Sequence, residues 1–365
     1  MRPATEADLA GIIRDVTGPV VVRGGGTRSV GACRGEVLET SGLSGVALYE
    51  PGALTLVAGA GTRLAEVEAL LAAEGQRLPF EVPDMRGLLG RTGESTLGGV
   101  VAANASGPRR VQVGACRDSL IGVRFVDGAG TVIKNGGRVM KNVTGYDLVK
   151  LMAGSWGTLG VLSEVSFKLL PVPEAGATLI LPGLSDAQAV QAMAAALGSP
   201  FEVNGAAHWP GQGTFLRIEG FTASVAYRAA QLQRHLSAFG AAEVEPGTAR
   251  WAAIRDVEPF HAQAGDVWRV AVKPSDAPAL VARMGAEAVL YDWGGGLIWA
   301  LTAPGSDLRA QLGEFAGHAT RVRGDGPGAY RGAFATEPPG VAALTQGLRA
   351  KFDPRGILNS GLMGA

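Results

Sequence analysis

The sequence predicts an α+β chain of two domains, and three observations predict it. At 365 residues the chain is longer than one hydrophobic core usually serves. Its first half sets β-branched strands between glycine-rich loops, whereas its second half is Ala-rich and alternates helices with strands. Between the two, Pro171, Pro173 and Gly176 mark a boundary.

Composition narrows the class. Hydrophobic residues make up 47% and charged residues 18%, enough for a packed core and against disorder. Lys+Arg and Asp+Glu number 33 each, so no global field draws nucleic acid or an anionic membrane. Glycine is the outlier at 55 residues, roughly twice ordinary usage. Without a Gly-X-Y period this excludes collagen and points to tight turns and close backbone approaches. Cys33 and Cys116 are too few for a disulfide framework or a zinc cage, and read as reduced, buried thiols. MRPATEADLAGIIRD lacks a long apolar core and a cleavage site, so no signal peptide is expected. No run of about 18 apolar residues exists, so no membrane span is expected.

Residues 1–18 predict a short helix. VVVRG (20–24) is a buried strand entering a loop, and LTLVAGAG (54–61) is another strand. Thr62 is placed to cap the periodic helix RLAEVEALLAAEG, which Gly75 stops. From 81 to 107 runs EVPDMRGLLGRTGESTLGGVVAANASG, too long and too small-residue-rich for an idle connection. Within it GGVVAANA predicts a short helix. SLIGVRFVDGAGTVI (119–133) reads as a hairpin turning at Asp127–Gly128. DLVKLMAG is a helical turn or two, and LGVLSEVSFKLLPV (159–172) a strand. Beyond the boundary, helices at 186–198 and 225–240 alternate with strands TFLRIEG, WRVAVKP and GGLIWALTA. One antiparallel sheet with helices on one face is the expectation. The tail is a helix to Phe352, ended by Asp353–Pro354, then an extended segment.

Two motifs carry chemistry. In VVVRGGGTRSVG (20–31) the amides of Gly24, Gly25 and Gly26 can form a nest for an anion, with Arg23, Thr27, Arg28 and Ser29 as further donors. A dinucleotide pyrophosphate fits; a plain glycine turn with a solvated arginine is the alternative. The string is no Rossmann fingerprint, because Ser29 stands where the third glycine is needed, and Gly59-Ala60-Gly61 fails at Leu64. In TGESTLGGVVAANASG (92–107), Thr92, Ser95, Thr96 and Ser106 are short donors. Gly98, Gly99, Ala102, Ala103 and Ala105 keep a wall thin enough for a flat ring. Gly98 and Gly99 also open a helix whose N-terminal amides favour an anion, with close helix packing as the alternative.

With these loops in order, followed by RDSLIGVRFVDGAGTVIKNGG, KNVTGYDLVKLMAGSWGTLGVLSEVSFKLLP and KFDPRGILNSGLM, the chain resembles the FAD-binding family of vanillyl-alcohol oxidase and p-cresol methylhydroxylase. The likeness spans residues 5–172 and 345–363. Within the family, RVMKNVTGYDLVKLMAGSWGTLGVL and AGHATRVRGD (316–325) are most similar to the E-subunit group of bacterial glycolate oxidase (glycolate dehydrogenase). The resemblance implies a two-subdomain PCMH-type FAD-binding domain over 1–172 and a smaller α+β, antiparallel-sheet cap over 173–330. Residues 331–365 would return to the FAD domain. It implies that Arg23, Gly24, Gly25, Gly26, Thr27, Arg28 and Ser29 form the first pyrophosphate loop. Pro83, Thr96, Gly98, Gly99, Ala102, Ala105, Ser106 and Gly107 would make the second loop and the flavin wall. Gly157, Gly160 and Val161 would border the other end of the FAD, and Asn359 would bring the tail back, although Ser360 replaces the usual proline. Relatives that tether FAD use a His or Cys in the first loop. Thr27, Arg28 and Ser29 stand there and Cys33 is out of place, so the FAD is expected to be non-covalent.

Catalytic relatives resemble one another in H-x-G-D-G-N-x-H, which holds a metal and a base. RGDGPGAY (323–330) keeps Gly324-Asp325-Gly326 without either histidine, so no metal site is expected and no catalytic base is identified. The four histidines are scattered. His318 lies in a family-like segment and could face the flavin, whereas His235 reads as solvated and His208 and His261 as loop or packing residues. Arg331 could bind a carboxylate or be a surface arginine. The resemblance therefore implies an FAD-bearing, electron-transferring subunit of a glycolate oxidase. Its partners would be a larger FAD-containing subunit and an iron–sulfur subunit, with a small 2-hydroxy acid as substrate. The expected location is the cytoplasm, peripheral at the inner membrane through the complex. A self-sufficient oxidoreductase and a non-catalytic scaffold are the alternatives.

Overall fold

The strands sort into two large sheets and two small two-stranded ones. The computed structural model describes residues 1–137, 145–324 and 332–364. The first half runs α1 (Glu6–Asp15), β1 (Val20–Arg23), β2 (Glu36–Glu39), β3 (Val46–Glu50), β4 (Thr55–Gly59), α2 (Leu64–Ala73) and β5 (Gln76–Arg77). It continues through α3 (Arg86–Leu89), α4 (Leu97–Ala102), α5 (Arg110–Val113), α6 (Cys116–Ser119), β6 (Leu120–Val126), β7 (Val132–Gly136), α7 (Leu148–Met152), β8 (Val161–Lys168) and β9 (Leu170–Pro171). Five strands form an antiparallel sheet in the order β3-β4-β8-β6-β7, while β1 and β2 pair in parallel. Thr5 and Asp8 close a capping box that starts α1. At α2 the cap differs from expectation. Thr62 turns its hydroxyl to the Gly45 backbone, and Arg63 occupies the N-cap position without a side-chain bond. A polar partner on the approach to β3 outcompetes the local cap.

The second half continues with β10 (Ala175–Leu181), α8 (Asp186–Leu197), β11 (Gly205–Trp209), β12 (Gly213–Gly220), α9 (Thr222–His235), β13 (Glu243–Pro246), α10 (Arg250–Asp256) and β14 (Asp266–Val272). Then come α11 (Ala277–Val281), β15 (Ala288–Asp292), β16 (Leu297–Thr302), α12 (Leu308–Leu312), β17 (Gly317–Arg323) and α13 (Pro339–Phe352). Its eight strands form one antiparallel sheet in the order β13-β10-β12-β11-β15-β16-β14-β17. Helices α8, α9, α11 and α12 bury one face. The opposite face is covered as well, correcting the one-face expectation. Trp251 and Ile254 of α10 pack there with Met85 and Leu88 from the first half. Strands apolar on both faces require both to be buried: in β12, Gly213 to Ile218 are all buried.

The seam between the halves is charged. Arg217 donates to Glu81 at 2.7 Å, and Arg109 donates to Glu219 at 2.7 Å. Arg77 and Asn204 complete the contacts of Glu219, at 3.2 and 2.6 Å. Burial would raise Glu81 and Glu219, but the facing guanidiniums outweigh it and hold both below the ordinary carboxylate range. The chain also returns on itself. Val20 donates to the Ile357 carbonyl at 2.8 Å and accepts from the Asn359 amide at 3.0 Å.

Candidate cofactor site

β1 delivers the chain into the first glycine string, and sterics fix what can stand there. A side-chain carbon added at Gly25 would fall 2.5 Å from the carbonyl carbon of Glu94 and nearer still to its oxygen. One at Gly24 would strike the Thr96 hydroxyl. Gly26 holds φ at +70°, the left-handed region that glycine enters freely. Residues 24–26 therefore lie directly against residues 93–96. Arg28 completes the joint, donating to Ser95 Oγ at 2.6 Å and to the Pro83 carbonyl at 3.5 Å.

This joint presents donors without acceptors. Among the described residues, the amides of Gly25, Gly26, Thr27 and Arg28 meet no protein acceptor. Arg28 Nε is buried and likewise without a partner. Burial pulls the Arg28 guanidinium down to about 10, against the opposing charge of Asp84. Asp84 is engaged elsewhere: hydrogen bonds from Arg86, the closest 2.8 Å, hold its carboxyl below the usual range. A row of free amides beside a half-buried cation that has no ion pair among the described residues is costly unless an anion completes it.

These groups line a cavity of about 350 Å³, within the range of small-molecule sites. On it lie Arg23, Gly24, Gly25, Gly26, Thr27, Arg28 and Ser29 of the first loop, and Thr96, Gly98, Gly99 and Ala102 of the second. Gly157, Gly160 and Asn359 line it too. Asn359 Oδ1 accepts from the Val22 amide at 2.8 Å, and its Nδ2 donates to the Trp156 carbonyl at 2.7 Å. This one side chain pins the tail to both walls.

Five anticipated residues lie off the cavity. Pro83 takes part only through its carbonyl, as a support for Arg28. Ala105 is buried, and the Ser106 hydroxyl donates to the Asn104 carbonyl at 3.2 Å. Gly107 faces the seam, where its carbonyl accepts from Trp293 Nε1 at 3.1 Å. Val161 is turned by strand alternation into the core around α1, leaving Leu162 on the cavity. The N-terminus of α4 also departs from expectation. Its amides are spent: Leu97 donates to Thr62 O at 3.0 Å, Gly98 to Ala60 O at 2.7 Å, and Gly99 to Thr96 Oγ1 at 3.4 Å. Gly98 is required instead by close packing, since an added carbon would lie 2.9 Å from both Ala60 Cβ and its oxygen.

Thr40, Ser155, Trp156 and Cys33 line the cavity without having been singled out for it. Cys116 is buried as expected, but Cys33 is half-buried, and burial raises its thiol, which suppresses the nucleophilic thiolate. The histidines stay dispersed. His208, expected in a loop or in packing, is buried in β11, within 2.9 Å of Thr214 Oγ1 and 3.4 Å of Asp186. His318 is exposed on β17, His235 lies edge-on to Phe201, and the His261 ring meets the Asp256 carbonyl at 2.7 Å. Among the described residues, no three His, Cys, Asp or Glu side chains gather to hold a metal ion. Arg331, Asp325 and part of RVMKNVTGYD lie outside the described residues.

The geometry accords with known proteins. The FAD binding domain family matches residues 1–136. The chain is 35% identical over 349 residues to glycolate oxidase subunit GlcE of Escherichia coli (strain K12), across 94% of this chain and 92% of that protein. It is 33% identical over 175 residues to glycolate oxidase subunit GlcD of Bacillus subtilis (strain 168), across 44% of this chain and 34% of that one. Among solved structures, alkyldihydroxyacetonephosphate synthase superposes with a TM-score of 0.71, over 98% of this chain and 76% of that one. At 17% identity this is a likeness of fold.

Proposed function

Because the chain belongs to the PCMH-type FAD-binding oxidoreductases that include the glycolate oxidase E subunit, we propose that it is the FAD-carrying subunit of a complex that oxidises glycolate or a related 2-hydroxy acid. FAD is its cofactor. The observation that carries the reading is the unsatisfied donor set of the amides of residues 25–28 together with the buried Nε of Arg28. Those amides and that guanidinium would hold the diphosphate. Gly99, Ala102, Gly157 and Gly160 would give the rings a wall free of bulky side chains, and Asn359 would hold the loop in place. When bound, FAD supplies the two-electron acceptor for the hydride leaving the α-carbon of the acid.

We assign the FAD domain to residues 1–172 with the tail from 331 onward, and the cap to 173–330. We further propose a larger FAD-containing subunit and an iron–sulfur subunit as partners. Among the described residues, no helix is long and apolar enough to cross a membrane. We propose a cytoplasmic location, peripheral at the inner membrane through the complex. The test is anaerobic reduction of bound FAD by glycolate, with the chain isolated and then co-purified with both partners. Reduction confined to the complex supports the subunit reading. Equally fast bleaching of the isolated chain overturns it in favour of a self-sufficient enzyme.

A further inference from the structure

The seam holds a basic pair that the cofactor cavity does not use. Arg110, on α5 of the first half, places its guanidinium carbon 4.5 Å from the ring centre of Trp293. Arg269, on β14 of the second half, lies 5.0 Å from the same ring. The two cations are thus no farther apart than those distances combined. The indole that both contact is held in place, because its Nε1 donates to the Gly107 carbonyl at 3.1 Å.

Among the described residues, no acid forms an ion pair with either arginine; the charge of Asp118 acts on Arg110, and its Oδ2 accepts from the Ala115 amide at 2.7 Å. The one side-chain bond of Arg110 among the described residues is to Ser106 Oγ, at 3.4 Å, and the Arg269 guanidinium has the Trp293 ring as its contact. Nearby carboxylates are committed: Glu81 to Arg217 at 2.7 Å, and Glu219 to Arg109 at 2.7 Å. Asp292 accepts the Trp293 amide at 2.7 Å, and burial pushes its carboxyl up to about 7, which leaves it a weak counter-charge. Burial pulls both guanidiniums below their ordinary range, and at Arg269 the charge of Arg110 adds to the effect and brings it to about 10. Arg110 and Arg269 are half-buried by exposed area, and His318 on the neighbouring strand is exposed. A guanidinium lying on an indole keeps its N–H edge free for a planar, two-oxygen partner.

We propose that Arg110 and Arg269 form a carboxylate-binding site across the seam, with Trp293 as its floor, so that a small carboxylate ties the two halves together. Identifying that carboxylate as the 2-hydroxy acid rests on the function proposed above; the anion site itself does not.

The experiment is calorimetric titration of the FAD-loaded full chain with oxalate, paired with thermal melts. Wild type should bind oxalate and melt higher in its presence. Arg110→Gln and Arg269→Gln should each bind it about tenfold more weakly or worse and lose the thermal shift, with FAD content unchanged. Arg269→Lys, which keeps the charge but not the planar fork, should fall between. Absence of oxalate binding by wild type, undiminished binding by both glutamine variants, or equal binding of sulfate would overturn the proposal. Flavin reduction by glycolate separates the two readings. Oxalate binding through both arginines in a chain whose flavin glycolate never reduces, alone or in the complex, keeps this site and removes the proposed function. Unchanged flavin reduction by glycolate in both variants keeps the proposed function and overturns the identification of the bound carboxylate as its substrate.

Discussion

Substituting Gly25 with alanine asks whether the two glycine-rich stretches must touch for FAD to bind. The new carbon would sit 2.5 Å from the carbonyl carbon of Glu94, whereas carbon atoms rest about 3.5–4.0 Å apart. The loops would have to separate by about 1 Å or more. The obstacle is main chain, so no rotamer change relieves it. Overpacking of this kind costs about 1–3 kcal/mol, and here the cost falls on the amides that hold the diphosphate. FAD affinity should drop by about 10- to 100-fold. The assay is titration of flavin-free protein with FAD, followed by flavin fluorescence, with Gly52→Ala as control because nothing lies within 4 Å of that position. Gly25→Ala binding FAD within about threefold of wild type would refute the joint as the basis of the site.

Glu219→Gln removes the charge that Arg109 and Arg77 share; it should lower stability by about 3–5 kcal/mol, measured as a shift in urea midpoint, and an unmoved midpoint counts against the seam as a structural element. Asp292 makes a pH-dependent prediction. Burial raises it to about 7, against roughly 4 in the unfolded chain, so the folded state binds the extra proton between those values. Stability should therefore fall as pH rises from about 4 to 7 and stay low above. Asp292→Asn keeps the acceptor for the Trp293 amide and should flatten that slope; parallel slopes for variant and wild type would show the carboxyl is not responsible. Acid precipitation should leave the flavin in the supernatant. Yellow pellets would instead reveal a covalent tether, with Cys33 the thiol on the cavity wall.

The strands were readable because VVVRG and LTLVAGAG carry β-branched runs that end in glycine, a local signal. The first loop was readable for the same reason: a glycine string after a strand exposes its own amides. What happens at α4 was not. Sequence shows that Gly98 and Gly99 are small, but not that the Thr62 and Ala60 carbonyls already hold the amides of Leu97 and Gly98. The Thr62 hydroxyl was lost to Gly45 in the same way. The second face of the eight-stranded sheet was hidden because Met85 and Leu88 cover it from the other half, which no reading of the cap segment alone can supply. Trp293 and Arg110 are brought together only by the seam, and no spacing rule links residues so far apart. Alternation along β8 could have moved Val161 off the cavity in advance, in favour of Leu162.

The pairing of Ile357 and Asn359 with Val20 has a consequence for biosynthesis. On the ribosome, the segment 20–31 emerges early and the segment that braces it emerges more than three hundred residues later. Throughout translation of the intervening cap, the nucleotide cleft is missing one side of its frame. Stable flavin loading should therefore follow synthesis of that segment, and a product truncated before Ile357 should hold FAD more weakly than the full chain.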